Sequence, residues 1–192
     1  EQIEERVLKR LLDIVSLLLI ILTSPVMLMM CIYVRCCDQA DAVLFRQKRC
    51  TRNERVFELL KFRTMKKIRK ADGLHYEIMP FGSFVRRMRL DELPQLFNIL
   101  KGEMSFIGPR PDTVEQVQNR KNLFSFYTCR MKVKAGLIGY TQVYGKYNAS
   151  LEERLSLDLE YIQNYSILLD FQLFFLAIKF LFTPNSPEDI LK

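Results

Sequence analysis

The chain has 192 residues, of which 29 are basic and 22 acidic, for a net charge of +7, and 49% are hydrophobic. That length suits one domain, or one domain with a membrane anchor, and it can bury a core without staples. High apolar content beside many charges suits a chain half in water and half in lipid, and the positive excess favours phosphates, nucleic acid or acidic headgroups. The only histidine is His75, which argues against a zinc site and leaves any histidine base to one residue in a polar, turn-like stretch, Ala71–His75. Cys31, Cys36, Cys37, Cys50 and Cys129 are odd in number and contain no C-x-x-C pair, so they read as reduced thiols in a cytosolic setting. The first residue, Glu1, agrees with a piece of a longer protein, and no cleavable signal is present.

Leu11 to Val34 is almost wholly apolar and long enough to cross a bilayer. Asp13 lies near its start, Ser24-Pro25 interrupts its middle, and both flanks are basic: Arg6, Lys9 and Arg10 before, Arg35 after. Basic flanks mark the cytoplasmic side. A span and a re-entrant element that turns at Ser24-Pro25 are both open, and the second accounts for all three features. In either, Ser24 is expected to help satisfy carbonyls freed by Pro25.

Val43–Phe45 and Val56–Leu60, separated by Arg49–Glu54, suggest a small hairpin. The segment is dense in base (Arg46, Lys48, Arg49, Arg52, Arg55, Lys61, Arg63, Lys66, Lys67, Arg69 and Lys70) and reads mostly as a solvated or headgroup-facing surface. No DNA- or RNA-binding signature accompanies it, so nucleic acid is not an expected partner. Leu90 to Gly102 is the clearest helix. Pro94 sits in its first turn, Asp91 is an N-cap candidate, Leu93, Leu96, Phe97 and Leu100 form an apolar face, and Gly102 ends it. Ser105–Pro111 cannot be helical and forms a stiff loop. Asp112 to Phe126 reads as helix, and Val133 to Gly145 as loop and short strand. Ser150 to Asn164 is an amphipathic helix opened by a Ser150-x-x-Glu153 capping box. Ile167 to Phe182 is an apolar helix suited to the membrane interface or to packing on the core.

Asp91 and Glu92 are the candidate chemical centre. At a helix start a carboxylate tends to stay ionised, fit to act as nucleophile or metal ligand. Arg86, Arg87 and Arg89 precede the pair, and Arg110 follows in a Pro-flanked loop. Acids beside guanidinium groups suit phosphoryl transfer. Adjacent acids do not flank a glycosidic bond well, which disfavours a glycosidase. The plain alternative is an N-cap followed by a surface acid.

The run from Arg86 through Arg89-Leu90-Asp91-Glu92-Leu93-Pro94 to Ser105-Phe106-Ile107-Gly108-Pro109-Arg110-Pro111 closely resembles the signature of the bacterial sugar transferase family, the monotopic phosphoglycosyl transferases. Lys9-Arg10-x-x-Asp13, Ser24-Pro25, Lys61–Met65 and Gly136–Lys146 follow in the family's order, so the resemblance covers nearly the whole chain. It implies a re-entrant membrane helix broken at Ser24-Pro25. It also implies transfer of a sugar phosphate from a nucleotide diphosphate-sugar, usually a UDP-sugar, to polyprenol phosphate (undecaprenol phosphate in bacteria). By resemblance Asp91 is the nucleophile that carries the phosphosugar, and Glu92 assists. Mg²⁺ binds near Asp91. Arg86 and Arg110 hold phosphates, with Lys61 and Gln142 as further candidates.

The expected fold is α+β and mainly helical. Residues 1–38 form a re-entrant helix–break–helix anchor. Residues 39–192 form a catalytic domain at the cytoplasmic face of a bacterial cell membrane, with a small β-hairpin and amphipathic interfacial helices. Membrane lipids are expected partners, and a homo-oligomer is left open. A non-catalytic, membrane-bound scaffold is the alternative function. Four positions depart from the family's usual pattern: Cys50 for Gly, Ala135 for Pro, Ile138 for Thr and Lys146 for Arg. The departures at 138 and 146 bear on a hydrogen-bonding role there.

Overall fold

The computed structural model describes residues 2–70, 73–145 and 149–181; the side chains of 2–14, 70 and 180–181 also lie outside that description. The expectations for Asp13, the basic flank Arg6, Lys9 and Arg10, and Lys146 therefore fall outside the described residues. The chain is mixed α/β, with one long apolar N-terminal helix and small sheets. It divides into two compact units, residues 1–46 with 60–100, and residues 47–59 with 101–192.

In the first unit, α1 runs unbroken over Gln2–Cys37, with Pro25 inside it. This corrects the expected helix–break–helix. Pro25 cannot donate to the carbonyl of Ile21, four residues back. The Ser24 hydroxyl donates to that carbonyl instead, at 2.7 Å, while Thr23 Oγ1 donates to Leu19 O at 2.7 Å. Helical geometry is thus kept where the proline removes a hydrogen bond. Val15–Cys37 is long and apolar enough to cross a membrane, and it leaves Leu18, Ile21, Leu22, Leu28, Met29 and Ile32 exposed. The opposite side of its C-terminal half buries Met30 against Phe62 and Val85, with Leu90 and Leu93 packed around them. Arg63 locks the exit of α1. It pairs with the Asp38 carboxylate and donates to the carbonyls of Asp38, Asp41 and Ala42 at 3.2, 3.0 and 2.9 Å.

The expected hairpin is present as β1 (Leu44–Cys50) and β2 (Val56–Phe62). Asn53 and Glu54 in its turn both take left-handed backbone angles, φ 56° and 59°. A second hairpin was not expected: β3 (Met65–Lys70) pairs antiparallel with β4 (Gly73–Ile78). His75 thus lies in a strand, opposite Ile68, and not in a polar turn. Alternation was hidden because charged and apolar residues share one face of this hairpin. Two helical pieces follow, α2 (Gly82–Arg87) and α3 (Gln95–Leu100), and Gly102 follows at φ 74°.

In the second unit, β5 (Ser105–Ile107) and β6 (Gly136–Ile138) pair in parallel. Helix α4 (Val114–Leu123) opens with a Thr113–Gln116 capping box and stops short of the expected end at Phe126; a 3-10 segment, Tyr127–Lys132, follows. Helix α5 is short (Tyr140–Tyr144), and α6 (Leu151–Gln163) opens with the anticipated Ser150–Glu153 capping box. One core gathers Cys50, Val117, Tyr127, Met131 and Leu155. Another joins Ile107, Val143 and Tyr161 to Leu173 of α7 (Ile167–Leu181). The other side of α7 exposes Leu168, Phe171, Phe175 and Ile178, an apolar stripe at helical spacing.

Candidate active site

Asp91 and Glu92 do not cap a helix. They lie in a 3-10 turn, Leu90–Glu92, whose N-cap residue is Arg89 and which has no side-chain capping bond. The cause is Pro94. It lacks the N–H that would bond to the Leu90 carbonyl four residues back. That carbonyl takes the Leu93 N–H instead, at 3.4 Å, and Leu93 O and Pro94 O accept from Leu96 and Phe97, both at 3.1 Å. The turn is entered through Arg89 in the left-handed region, φ 56° and ψ 18°. A non-glycine residue there is strained. Helix α3 buries Gln95, Leu96, Asn98 and Ile99, while Phe97, expected on the apolar face, is exposed.

Both acids are buried, with 1% of Asp91 and 4% of Glu92 exposed. A six-residue helix starting after them is too small a dipole to offset two buried charges. Cationic side chains do so. Lys61 Nζ of β2 lies 2.7 Å from Asp91 Oδ2 and 3.8 Å from Glu92 Oε1, and Arg89 Nη1 pairs with Glu92 Oε2 at 3.1 Å. Asp91 Oδ2 nonetheless receives no hydrogen bond of good geometry among the described residues. Its contact with Lys61 is an ion pair whose donor is poorly aimed. The result is a buried carboxylate oxygen paired with a neighbouring ammonium, with lone-pair directions open to an electrophile or a hard cation.

Asn98, fully buried, sets the position of Lys61. Its Oδ1 accepts from the amide of Leu60, the residue before Lys61, at 3.1 Å. The sequence reading passed over Asn98, since one polar residue in a helix carries no signal of a distant partner. Arg86 belongs to the same unit, on α2, and its Nε donates to Thr64 Oγ1 at 2.9 Å. Oxygen donors on two adjacent acids suit Mg²⁺, which takes one or two carboxylates and completes its shell from phosphates and water. No group of three metal-ligating side chains exists among the described residues.

Arg110 and Gln142 belong to the second unit. The loop carrying Arg110 is held by its carbonyls. Pro109 O accepts from Gly136 N at 3.0 Å, Arg110 O from Arg130 Nη2 at 2.9 Å, Pro111 O from Arg49 Nη1 at 2.8 Å and Asp112 O from Cys50 N at 2.9 Å. Gly108 and Gly136 touch back to back: a Cβ on Gly136 would lie 2.2 Å from Gly108 N, so neither accepts a side chain. Gln142 Oε1 takes the Gly139 N–H at 2.6 Å, which spends its carbonyl on starting α5 and leaves its amide nitrogen as the donating end.

Arg130, also missed by the sequence reading, is the keystone of this unit. Its guanidinium meets Asp158 Oδ2 at 2.6 Å, pairs with Asp112 and lies over the Tyr127 ring. Burial by itself would lower its pKa; the Asp158 and Asp112 carboxylates outweigh burial and keep it firmly charged. Asp158 Oδ1 in turn accepts from Thr141 Oγ1 at 2.8 Å. The sequence departures also find uses. Ala135 donates its N–H to Thr51 Oγ1 at 3.1 Å, a bond that proline could not make. Cys50 fills the first core, and Ile138 packs on the second.

Residues 4–184 match the family model described as bacterial sugar transferase. The chain is 37% identical over 184 residues to a Klebsiella pneumoniae protein named UDP-glucose:undecaprenyl-phosphate glucose-1-phosphate transferase, covering 90% of this chain and 39% of that protein. It is 33% identical to an Aeromonas hydrophila UDP-N-acetylgalactosamine-undecaprenyl-phosphate N-acetylgalactosaminephosphotransferase, covering 92% of this chain and 44% of that protein. A Bacillus subtilis sugar transferase, EpsL, is 32% identical, with 90% of this chain and 86% of that protein covered. The chain thus spans about two fifths of the longer relatives and most of the shorter one.

Proposed function

Because this chain belongs to the bacterial sugar transferase family, we propose that it moves a sugar phosphate from a nucleotide diphosphate-sugar, a UDP-sugar, to undecaprenol phosphate in the membrane. This would be the first step in building a surface polysaccharide or glycoconjugate. The observation that carries the reading is the buried Asp91 carboxylate, whose Oδ2 faces Lys61 at 2.7 Å and receives no well-aimed hydrogen bond.

Asp91 attacks the phosphorus next to the sugar. An acyl phosphate bond to the sugar phosphate forms, the diphosphate bond breaks, and UMP leaves. The phosphate oxygen of undecaprenol phosphate then attacks the same phosphorus. The acyl bond breaks, Asp91 is regenerated, and undecaprenol diphosphate sugar results. Lys61 pairs with Asp91 between turnovers and offsets charge on the transferring group. Glu92, fixed by Arg89, positions the group and handles protons. Arg86 and Arg110 are the guanidiniums assigned to phosphate oxygens, and Gln142 offers its amide nitrogen. Mg²⁺, held by Asp91 with Glu92, would supply charge neutralisation on the diphosphate.

The reading places the chain on the cytoplasmic face of the membrane. Helix α1 dips into the bilayer and returns to the same face with its helical path kept through Pro25, in keeping with basic residues at both ends and with the Ser24 hydroxyl that satisfies the Ile21 carbonyl. The exposed stripe of α7 lies in the interface. Membrane fractions incubated with a panel of UDP-sugars and undecaprenol phosphate should release UMP with one or a few of them, and Asp91→Asn should abolish release. Full activity in that variant would contradict the assignment. A membrane-bound scaffold would bind partners regardless of Asp91 and Glu92.

A further inference from the structure

We propose that the β3–β4 hairpin and the Phe81 turn form a second membrane-seating surface, which lays an aromatic and cationic face into the headgroup layer of an anionic bilayer beside α1. The proposal rests on the membrane reading above. The strand register places the pairs Met65–Ile78, Lys67–Tyr76 and Arg69–Leu74 on one face of the hairpin. On that face Leu74 is 58% and Tyr76 59% exposed, and Ile78 is exposed as well. Phe81 follows, 80% exposed, with φ 60° in the left-handed region. A bulky residue in that region is strained, and here the strain is spent on holding an aromatic ring outward. Phe84 is exposed too, with the Arg87 guanidinium 5.9 Å from its ring centre.

These side chains are continuous with the apolar helix. The Tyr33 hydroxyl of α1 donates to the carbonyl of Pro80. A Cβ built on Gly82 would lie 2.7 Å from Ile78 Cγ2 and 3.7 Å from the Tyr33 hydroxyl, so hairpin end, Phe81 turn and α1 converge. Tyr33 sits one residue from Ile32, which belongs to the exposed apolar surface of α1. The charge is complementary to acidic lipid. Strands β3 and β4 carry Lys66, Lys67, Arg69 and Lys70 against Glu77 alone, so the hairpin is net positive even with Lys66 paired to Glu77 at 3.5 Å and Lys67 to Asp41 at 3.2 Å. Aromatic rings among cations form the composition of a membrane–water interface. A solvent-facing hairpin has no need of so many adjacent large apolar side chains.

The chain contains no tryptophan, so a single introduced one is a unique reporter. Phe81→Trp, Tyr76→Trp and, within α1, Leu22→Trp are each reconstituted as the full chain in vesicles of phosphatidylcholine and phosphatidylglycerol. Part of the lipid is brominated at shallow acyl positions. Tryptophans at 81 and 76 should show blue-shifted emission quenched by bromolipid, and less quenching when phosphatidylglycerol is omitted. Water-like, unquenched emission at both sites, with Leu22→Trp quenched, would overturn the proposal while leaving the membrane reading intact. Blue-shifted but unquenched emission would mean a protein surface covers the hairpin, and would also overturn it. Absence of quenching at Leu22→Trp itself would bring down the membrane reading.

Discussion

The Lys61 ammonium stands 2.7 Å from Asp91 Oδ2 and 3.8 Å from Glu92 Oε1, so one cation from strand β2 serves both buried acids. Two carboxylates this deeply buried need a compensating charge. Lys61→Met should lower turnover by about 10²–10³-fold, the scale of removing one preorganised electrostatic partner. UMP release under saturating substrate measures this. Lys61→Arg should recover part of the loss, and wild-type turnover in Lys61→Met would remove Lys61 from the chemistry.

Asn98 Oδ1 accepts the amide N–H of Leu60, the residue before Lys61. Asn98→Ala leaves the Leu60 amide without its acceptor in a buried place. It should cost about 1–3 kcal/mol, the penalty for a stranded buried donor. Thermal unfolding in detergent should show a lower midpoint, and turnover should fall as Lys61 loses its fixed position. An unchanged midpoint would show that water replaces the side chain.

Arg130 joins Asp158, Asp112 and the Arg110 carbonyl in the second unit. Arg130→Met strands two carboxylates and should destabilise the protein by about 3–5 kcal/mol, the range for breaking a buried ion pair from one side. The double change Arg130→Met with Asp158→Asn should be less damaging than the sum of the two single changes. Additive losses would contradict the network.

Much of this was legible in the sequence, and the failures have physical causes. The capping box at Ser150, the terminating Gly102 and the first hairpin rest on local rules, and local rules were enough. The hairpin over Met65–Ile78 was not legible, because Lys67 and Arg69 share a face with Tyr76 and Leu74 and blur the period-two pattern. The turn at Asp91 misled for a subtler reason. Pro94 was rightly placed near a helix start, but its missing N–H tightened the residues before it into a 3-10 turn. Arg130 and Asn98 act on partners far away in sequence, Asp112, Asp158 and Leu60, and spacing cannot reveal that.

Asp170 of α7 supplies a prediction in pH. Burial raises its pKa above the ordinary carboxylate value, opposed in part by the hydrogen bond from the Tyr161 hydroxyl at 2.8 Å. The folded protein therefore binds more protons at this site than the unfolded chain between the unfolded and folded pKa values. Stability falls as pH rises through that window. Asp170→Asn keeps an acceptor for Tyr161 and removes the fall. It should be more stable than the wild type at neutral pH and show no advantage below the unfolded value. Unfolding midpoints across that range decide it, and a variant less stable at neutral pH would contradict the sign.

The central claim is that Asp91 becomes covalently bonded to the sugar phosphate. The direct measurement is mass spectrometry of the Asp91 peptide from protein quenched in acid after incubation with its UDP-sugar, with undecaprenol phosphate left out. A mass increase equal to one sugar phosphate, mapped to Asp91, absent in Asp91→Asn and removed by adding undecaprenol phosphate, is the result expected. An unmodified Asp91 peptide under conditions where UMP is released would contradict it.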